Sequence, residues 1–389
     1  MKPSRIRLGM VGGGEGAFIG AVHRMAARLD DQFELVAGAL SATPAKAQRS
    51  GQALGLAADR IYDSFEAMAA AEAARPDGIE AVAIVTPNHV HAPAATAFLK
   101  AGIHVICDKP VTVHSADARK LAALAKKQGL VFAVTHNYSA YPMVRVARQM
   151  VQQGQLGEIR VVQAEYPQDW LAEPLEQSGQ KQAAWRTDPA QAGGGAIGDI
   201  GSHAWHLADY VTGQPLVELC AELSSFVPGR SVDDNAQVLL RYANGARGAI
   251  WASQVAPGHL NDLRLRVYGS QGGIEWRQEQ PNQLRYTPLG QPTQVLERGG
   301  AGFGAAGARL NRIPGGHPEG YLEAFASLYS EVAQHLRAAR PGARKSDRPD
   351  KACHFPTIAD GLRGVQFIEA VQRSSRAGGR WVKLPAAQD

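Results

Sequence analysis

Three side chains are spaced for acid–base work: Lys109, Asp199 and His203. Lys109 closes the run His104-Val105-Ile106-Cys107-Asp108, and Pro110 stops that run at once. A strand ending there puts the lysine at the carboxyl edge of a parallel sheet, the side on which open α/β folds bind ligands. An ammonium so placed can meet a cofactor and polarise a substrate hydroxyl; a solvated loop lysine is the plainer reading. Asp199 and His203 lie four residues apart, entering a helical stretch that continues through Trp205, His206, Leu207 and Asp209. That spacing places both on one helix face. Histidine titrates near neutrality and suits a general base, a role worth about 10²- to 10⁴-fold. Capping the helix would alone be a sufficient structural reason for Asp199. No third or fourth ligand stands at metal-site spacing, so no metal is expected.

The elements before Lys109 describe a nucleotide site. Ile6 to Val11 reads as a buried strand, Gly12-Gly13-Gly14-Glu15-Gly16-Ala17-Phe18-Ile19-Gly20 follows, and a helix is expected from near Ala21. Strand, glycine loop and helix in that order form the setting of a dinucleotide fingerprint. Its glycines let backbone amides approach a pyrophosphate, and the helix N-terminus favours the negative charge. Gly12 and Gly14 are the candidate pyrophosphate glycines, Gly20 is the helix-packing glycine, and Phe18 and Ile19 belong to the enlarged loop between them. A second strand, Phe33 to Leu40, should end at the adenosine ribose, where an NAD site commonly carries Asp or Glu. This chain has Ser41, then Thr43, Lys46 and Arg49. A hydroxyl beside a cation accepts a 2′-phosphate, which tilts the expectation toward NADP. Ser41 as a helix cap, with Lys46 and Arg49 as its solvated face, is the alternative.

Strands and helices keep alternating to about residue 138. Ala81 to Val85 is an unbroken apolar strand ending in Thr86-Pro87-Asn88-His89-Val90-His91, and Leu130 to Thr135 is another, ending in His136-Asn137-Tyr138. Helices are expected over 64–74, 92–101 and 116–127. The pattern predicts a Rossmann-like doubly wound parallel sheet over residues 1–138.

Together these stretches resemble the Gfo/Idh/MocA family of NAD(P)-dependent oxidoreductases. The resemblance rests on Gly12-Gly13-Gly14, on Thr86-Pro87-Asn88 with His91, on Asp108-Lys109-Pro110 where the family usually has Glu-Lys-Pro, and on Gly193-Gly194-Gly195-Ala196-Ile197-Gly198-Asp199-Ile200-Gly201-Ser202-His203. It departs in the enlarged glycine loop and in Asp108. The resemblance implies that Lys109 contacts substrate and nicotinamide ribose, while Asp199 and His203 bind substrate and handle its proton. It implies oxidation of a ring hydroxyl of a sugar, inositol or related polyol. Ser41 with Lys46 five residues on has the family spacing that accompanies NADP. Thr86, Pro87, Asn88, His91, Asp108, Asn137 and Arg186 complete the candidate cofactor contacts.

Beyond Tyr138 short strands follow one another: 159–166, 216–226, 235–242, 247–254, 262–268, 273–277 and 283–286. Asn244-Gly245 is a hairpin signal. Residues 139–389 are therefore expected to form an α+β domain with a large, mostly antiparallel sheet, for substrate binding and oligomerisation, whose C-terminal helices pack back on the first domain. One sheet face should cover helices, and the other should be solvated or meet another subunit; a dimer or tetramer is expected, chiefly from the resemblance. His136, Tyr166, Gln168, Trp170 and Arg186 are candidate substrate walls, and Trp170 and Trp185 are equally compatible with a core. Residues 299–316 hold seven glycines and read as a surface loop or a lid. Helices are expected over 320–338 and 357–374, separated by a polar connector at 339–351.

At 389 residues the chain has length for two or three domains. Its net charge of +5 is dispersed, with no basic arm, so nucleic acid is not an expected partner. Three scattered cysteines fit a reducing cytoplasm, and no apolar stretch of about 18 residues suits a membrane span. For the reaction itself, His203 takes the hydroxyl proton, Lys109 orients and polarises the oxygen, and Asp199 fixes a neighbouring hydroxyl or the histidine. Lys109 and His203 can exchange roles, since burial and a cationic ring would lower the lysine pKa. Two rivals stay open: a cofactor-dependent glycosidase or lyase that oxidises transiently, and a non-catalytic NAD(P)-binding regulator.

Overall fold

A computed structural model describes residues 4–340, 342–343 and 348–385. Both chain ends and part of the connector expected at 339–351 lie outside the described residues. The chain forms two compact units, one of residues 1–137 with 321–362 and one of residues 138–320 with 363–389.

The first unit is built on five strands: β1 (Ile6–Gly12), β2 (Phe33–Ala39), β3 (Ala81–Val85), β4 (His104–Cys107) and β5 (Phe132–Val134). They lie in the order β2-β1-β3-β4-β5, each pair parallel. β3 is buried at all five positions, as a strand covered on both faces must be. The crossovers carry α1 (Phe18–Leu29), α2 (Pro44–Ala53), α3 (Phe65–Ala74), α4 (Asn88–Lys100) and α5 (Ser115–Gln128). Helix α1 starts three residues before the position expected, with Ala17 extended ahead of it. Gly20 therefore already lies in the helix, and this lets it pack against Gly13.

A late segment completes this unit. Helix α11 (Tyr321–Ala338) sets Phe325 and Tyr329 against His23 of α1, with ring centres 5.1 and 5.8 Å away. The Val134 amide donates to the Pro356 carbonyl at 2.8 Å, which extends the pairing at β5.

The second unit has a nine-stranded sheet of β6 (Ile159–Pro167), β7 (Leu216–Ser224), β8 (Asn235–Tyr242), β9 (Arg247–Ser253), β10 (Arg264–Gly269), β11 (Gly272–Arg277), β12 (Gln283–Pro288), β13 (Gln294–Glu297) and β14 (Val382–Lys383). Its order is β13-β12-β11-β10-β6-β9-β8-β7-β14. Every pair is antiparallel except β6 with β9. Asn244-Gly245 turns β8 into β9, with Gly245 at φ 90° and the Asn244 side chain accepting the Ala246 amide at 3.0 Å.

The unit's helices are α6 (Pro142–Gln152), α7 (Lys181–Arg186), α8 (Pro189–Ala192), α9 (Ser202–Thr212) and α10 (Gly304–Ala308). Helix α12 (Ile358–Arg376) contains the division between the units. Val162, Ala164, Leu265, Val267, Ile250 and Trp276 are buried on one face of the sheet. Alternating positions on the other face pair charges: Arg266 with Glu165 at 2.8 Å and Arg264 with Glu275 at 2.9 Å.

The glycine-rich stretch 299–316 is fastened at its ends. Buried Arg298 pairs with buried Glu319 at 3.0 Å and donates to the carbonyls of Ile313, Pro314 and His317. Among the described residues no helix is long and apolar enough to cross a membrane.

Candidate active site

In the first unit the glycine turn is shaped by close backbone approach. Gly12 and Gly13 have φ of 79° and 72°, values that L side chains rarely adopt. A Cβ on Gly20 would lie 2.4 Å from the Gly13 Cα, so the turn and α1 touch through two glycines. Gly13 is thus a packing residue that the fingerprint alone did not single out. Arg24, one turn on, braces the loop by donating to the Gly13 carbonyl at 2.7 Å. No side chain caps α1, which leaves the first amides of the helix, including Phe18 and Ile19, directed at the turn.

At the carboxyl ends of β3 and β5, the Thr86 hydroxyl and the Asn137 side-chain nitrogen are buried with no hydrogen-bond partner among the described residues. Positive-φ glycines, an uncapped helix N-terminus and buried polar groups at the sheet's carboxyl edge fit a dinucleotide. Ser41 and Lys46 follow β2, both partly buried, and the Ser41 hydroxyl accepts the Thr43 amide at 3.1 Å.

Lys109 lies two residues beyond the end of β4, in a cis peptide with Pro110. Its neighbour Asp108 is held by two side chains, one of them braced in turn by a third. The His23 Nε2 meets the carboxylate at 3.2 Å, and the Thr135 hydroxyl donates to it at 2.5 Å. The His23 Nδ1 meets the Tyr329 hydroxyl at 2.8 Å. Since a carboxylate only accepts, Nε2 carries a proton toward Asp108. Burial pushes the Asp108 carboxyl up, but His23 and Thr135 outweigh it and hold the pKa below the usual range. His23, Thr135 and Tyr329 carry no motif signal, because they converge only through α1, β5 and α11.

His91 lies fully buried between the carbonyls of Pro110 and Thr86, each 2.9 Å from a ring nitrogen. Burial holds its pKa below the ordinary histidine value, so the ring is neutral at pH 7 and donates to only one of them. It ties the Thr86-Pro87-Asn88 turn to the Lys109-Pro110 turn. Asn88 opens α4 and is buried, directly after Pro87.

In the second unit Asp199 lies inside a single wide π-type turn, Ile197–Gly201, and His203 is the second residue of α9. Asp199 therefore caps no helix. Its carboxylate receives the Gln254 side-chain amide at 2.9 Å and stands 3.4 Å from the Arg186 guanidinium. Arg186 also lies over the Trp185 ring at 4.3 Å. The turn is clamped from behind by Asp233, which accepts the Gly195 amide at 2.9 Å and the Ile197 amide at 2.8 Å. Its backbone carbonyl accepts the Ala196 amide at 2.8 Å.

The His203 ring stands edge-on to Tyr138 at 4.7 Å and tilted to Tyr166 at 6.2 Å. The Tyr166 hydroxyl donates to Asn261 at 2.6 Å, so Tyr138 donates to Tyr166 at 2.5 Å. Burial pushes the Tyr138 phenol up to about 12, which keeps it a donor. Gln168 donates to the same Asn261 oxygen at 2.5 Å. Trp170 is partly exposed two residues on, and His136 is buried in the first unit. Gln254, Asp233 and Asn261 were absent from the sequence reading. They sit at strand ends and in loops, where no periodicity marks them.

This geometry is accompanied by similarity along the whole chain. The description "Oxidoreductase family, NAD-binding Rossmann fold" matches residues 6–136, and "GFO/IDH/MocA C-terminal domain" matches residues 144–275. The uncharacterized oxidoreductase YfiI of Bacillus subtilis is 36% identical over 383 residues, 97% of each chain. The crystal structure of an oxidoreductase from Sinorhizobium meliloti is 55% identical with a TM-score of 0.89, covering 98% of this chain and 100% of that one. An inositol dehydrogenase homolog from Azotobacter vinelandii, complexed with NADH and myo-inositol, is 36% identical with a TM-score of 0.91 and 98% coverage of both chains.

Proposed function

The chain belongs to the GFO/IDH/MocA family of NAD-binding oxidoreductases, and from that membership we propose that it is an NAD-dependent dehydrogenase acting on a ring hydroxyl of a sugar, inositol or related polyol. The observation that carries the reading is the built presentation of Asp199 and His203. The Asp233 carboxylate clamps the turn, Gln254 and Arg186 hold Asp199, and aromatic rings flank His203. A protein that only sensed a nucleotide has no need of such an arrangement. The Azotobacter vinelandii homolog, solved with NADH and myo-inositol, supports both the cofactor and the substrate class.

The first unit serves as the nucleotide-binding domain and most of the second as the substrate domain. When bound, the nicotinamide supplies the hydride acceptor. His203 takes the hydroxyl proton on its imidazole, a group that titrates near neutrality. Lys109 orients and polarises the reacting oxygen from the end of β4. Asp199, held in one orientation by Gln254 and Arg186, accepts a hydrogen bond from a neighbouring hydroxyl. Gln168 and Arg186 present polar contacts, and Trp170 and Trp185 an apolar ring face, as a polyhydroxylated ring requires. Cys107, Cys220 and Cys353 are not disulfide-bonded, which suits the cytoplasm. Exposed Leu239 and Tyr268, on the sheet face away from the helices, support a homo-oligomer formed through that face.

Calorimetric titration with NAD, followed by a screen of inositols and sugars for net reduced cofactor, tests the proposal. Lys109→Ala should abolish turnover and leave NAD affinity within a few-fold. Failure to bind NAD, full turnover in that variant, or bond cleavage without net reduced cofactor would each refute it.

A further inference from the structure

The turn after β2 lacks the carboxylate that usually meets an adenosine ribose, but the glycine turn brings one against α2, the helix that follows that turn. The Gly14 amide donates to the Leu40 carbonyl at the end of β2, at 3.2 Å. A Cβ on Gly14 would lie 2.6 Å from that oxygen and 2.7 Å from the Ser50 hydroxyl. The enlarged loop is therefore pinned between β2 and α2.

Glu15 comes next. Its amide donates to the Ser50 hydroxyl at 3.0 Å, and its carboxylate stands 3.6 Å from the Arg49 guanidinium. Both side chains are largely exposed, at 62% and 63%. An exposed pair of this kind adds little to stability, so folding alone gives it no strong purpose. Gly16, at φ 74° with open space around the position of a Cβ, turns the loop back and leaves Glu15 at its apex. Glu15, Arg49 and Ser50 also line an open cleft of about 430 Å³ together with Gly14 and Arg24.

Lys46 and Arg49 lie three residues apart on α2, so they are neighbours on its surface. Alone they would form a cationic site for a 2′-phosphate. Glu15 offsets one of the two charges.

We propose that Glu15 is the residue by which this chain selects NAD over NADP. Its carboxylate engages Arg49, the cation a 2′-phosphate would otherwise meet, and repels the phosphate directly. The proposal rests on the dinucleotide reading of the glycine turn, and it reverses the preference expected from Ser41 and Lys46 alone.

The test is calorimetric titration of NAD and of NADP into the wild-type protein, Glu15→Gln and the double variant Glu15→Gln/Arg49→Ala. It needs no substrate, and substitution of an exposed side chain leaves the fold intact. The wild type should bind NAD more tightly. Glu15→Gln should lower the ratio of the NADP Kd to the NAD Kd by at least about tenfold, since like charges placed together oppose binding. Removal of Arg49 in that background should reverse most of the gain. A wild-type preference for NADP, or an unchanged ratio in Glu15→Gln, overturns the proposal. Binding of neither dinucleotide overturns the reading of the glycine turn itself.

Discussion

Asp233 is the most informative single residue to remove, because it touches neither half of the reacting chemistry yet holds the turn that carries Asp199. In Asp233→Ala the Gly195 and Ile197 amides lose the carboxylate at 2.9 and 2.8 Å, and a small side chain offers no replacement. Each buried amide left unpaired costs about 1–3 kcal/mol, so the pair costs about 2–6. Part of this is offset, since burial pushes the Asp233 carboxyl above its usual range and the ionised group is itself costly to bury. A net loss of about 2–4 kcal/mol in the second unit follows, or about 5–15 °C in its melting temperature. Asp233→Asn keeps one acceptor and should lose about half as much. All six tryptophans (Trp170, Trp185, Trp205, Trp251, Trp276 and Trp381) lie in the second unit, so tryptophan fluorescence reports its unfolding selectively. That selectivity matters, because a two-unit chain need not unfold in one step. Displacement of Asp199 and His203 by about 1 Å should also lower turnover by about 100-fold. NAD affinity, set in the first unit, should stay within about twofold. A variant that melts within about 1 °C of the wild type, or turns over within about threefold of it, would show that the clamp is incidental.

Two further outcomes follow from buried groups. Arg298→Met leaves the Glu319 carboxylate buried without its main partner, at a cost of about 3–5 kcal/mol. Limited proteolysis should then cut first within residues 299–316, and uncut protein under conditions that cleave elsewhere counts against Arg298 as the staple. His91 has a folded pKa depressed below 6.5 by burial, so the unfolded chain binds the extra proton first. The resulting stability is complete above about pH 6.5 and is lost as pH falls from there toward the folded value. Melts followed by circular dichroism between about pH 7.5 and 5.5 should show this fall in the wild type and a shallower one in His91→Asn; identical slopes would remove His91 from the explanation.

Much of this molecule is decided locally and is therefore legible in order along the chain. Apolar runs punctuated by Gly and Pro specify the strands of the parallel sheet, since a strand buried on both faces has no polar position to spare. The strand-end Lys109 and the four-residue step from Asp199 to His203 are likewise local facts. Other features depend on what chain reversal brings together. His23 reaches Asp108 across 85 positions and Tyr329 across 306, so no spacing in the sequence announces the contact. Asp199 could be read as a helix cap because helix entry and a π-type turn share one residue pattern; only the Gly195 and Ile197 amides, taken up by Asp233, distinguish them. The same limit applies to the choice between NAD and NADP. Ser41 and Lys46 are visible in the chain after β2, whereas Glu15 meets Arg49 only because Gly14 packs on Leu40 and Ser50. Composition and period determine which segments become strands and helices, because each depends on near neighbours in the chain. Which carboxylate faces which cation is a matter of long-range packing, and the tertiary structure alone decides it.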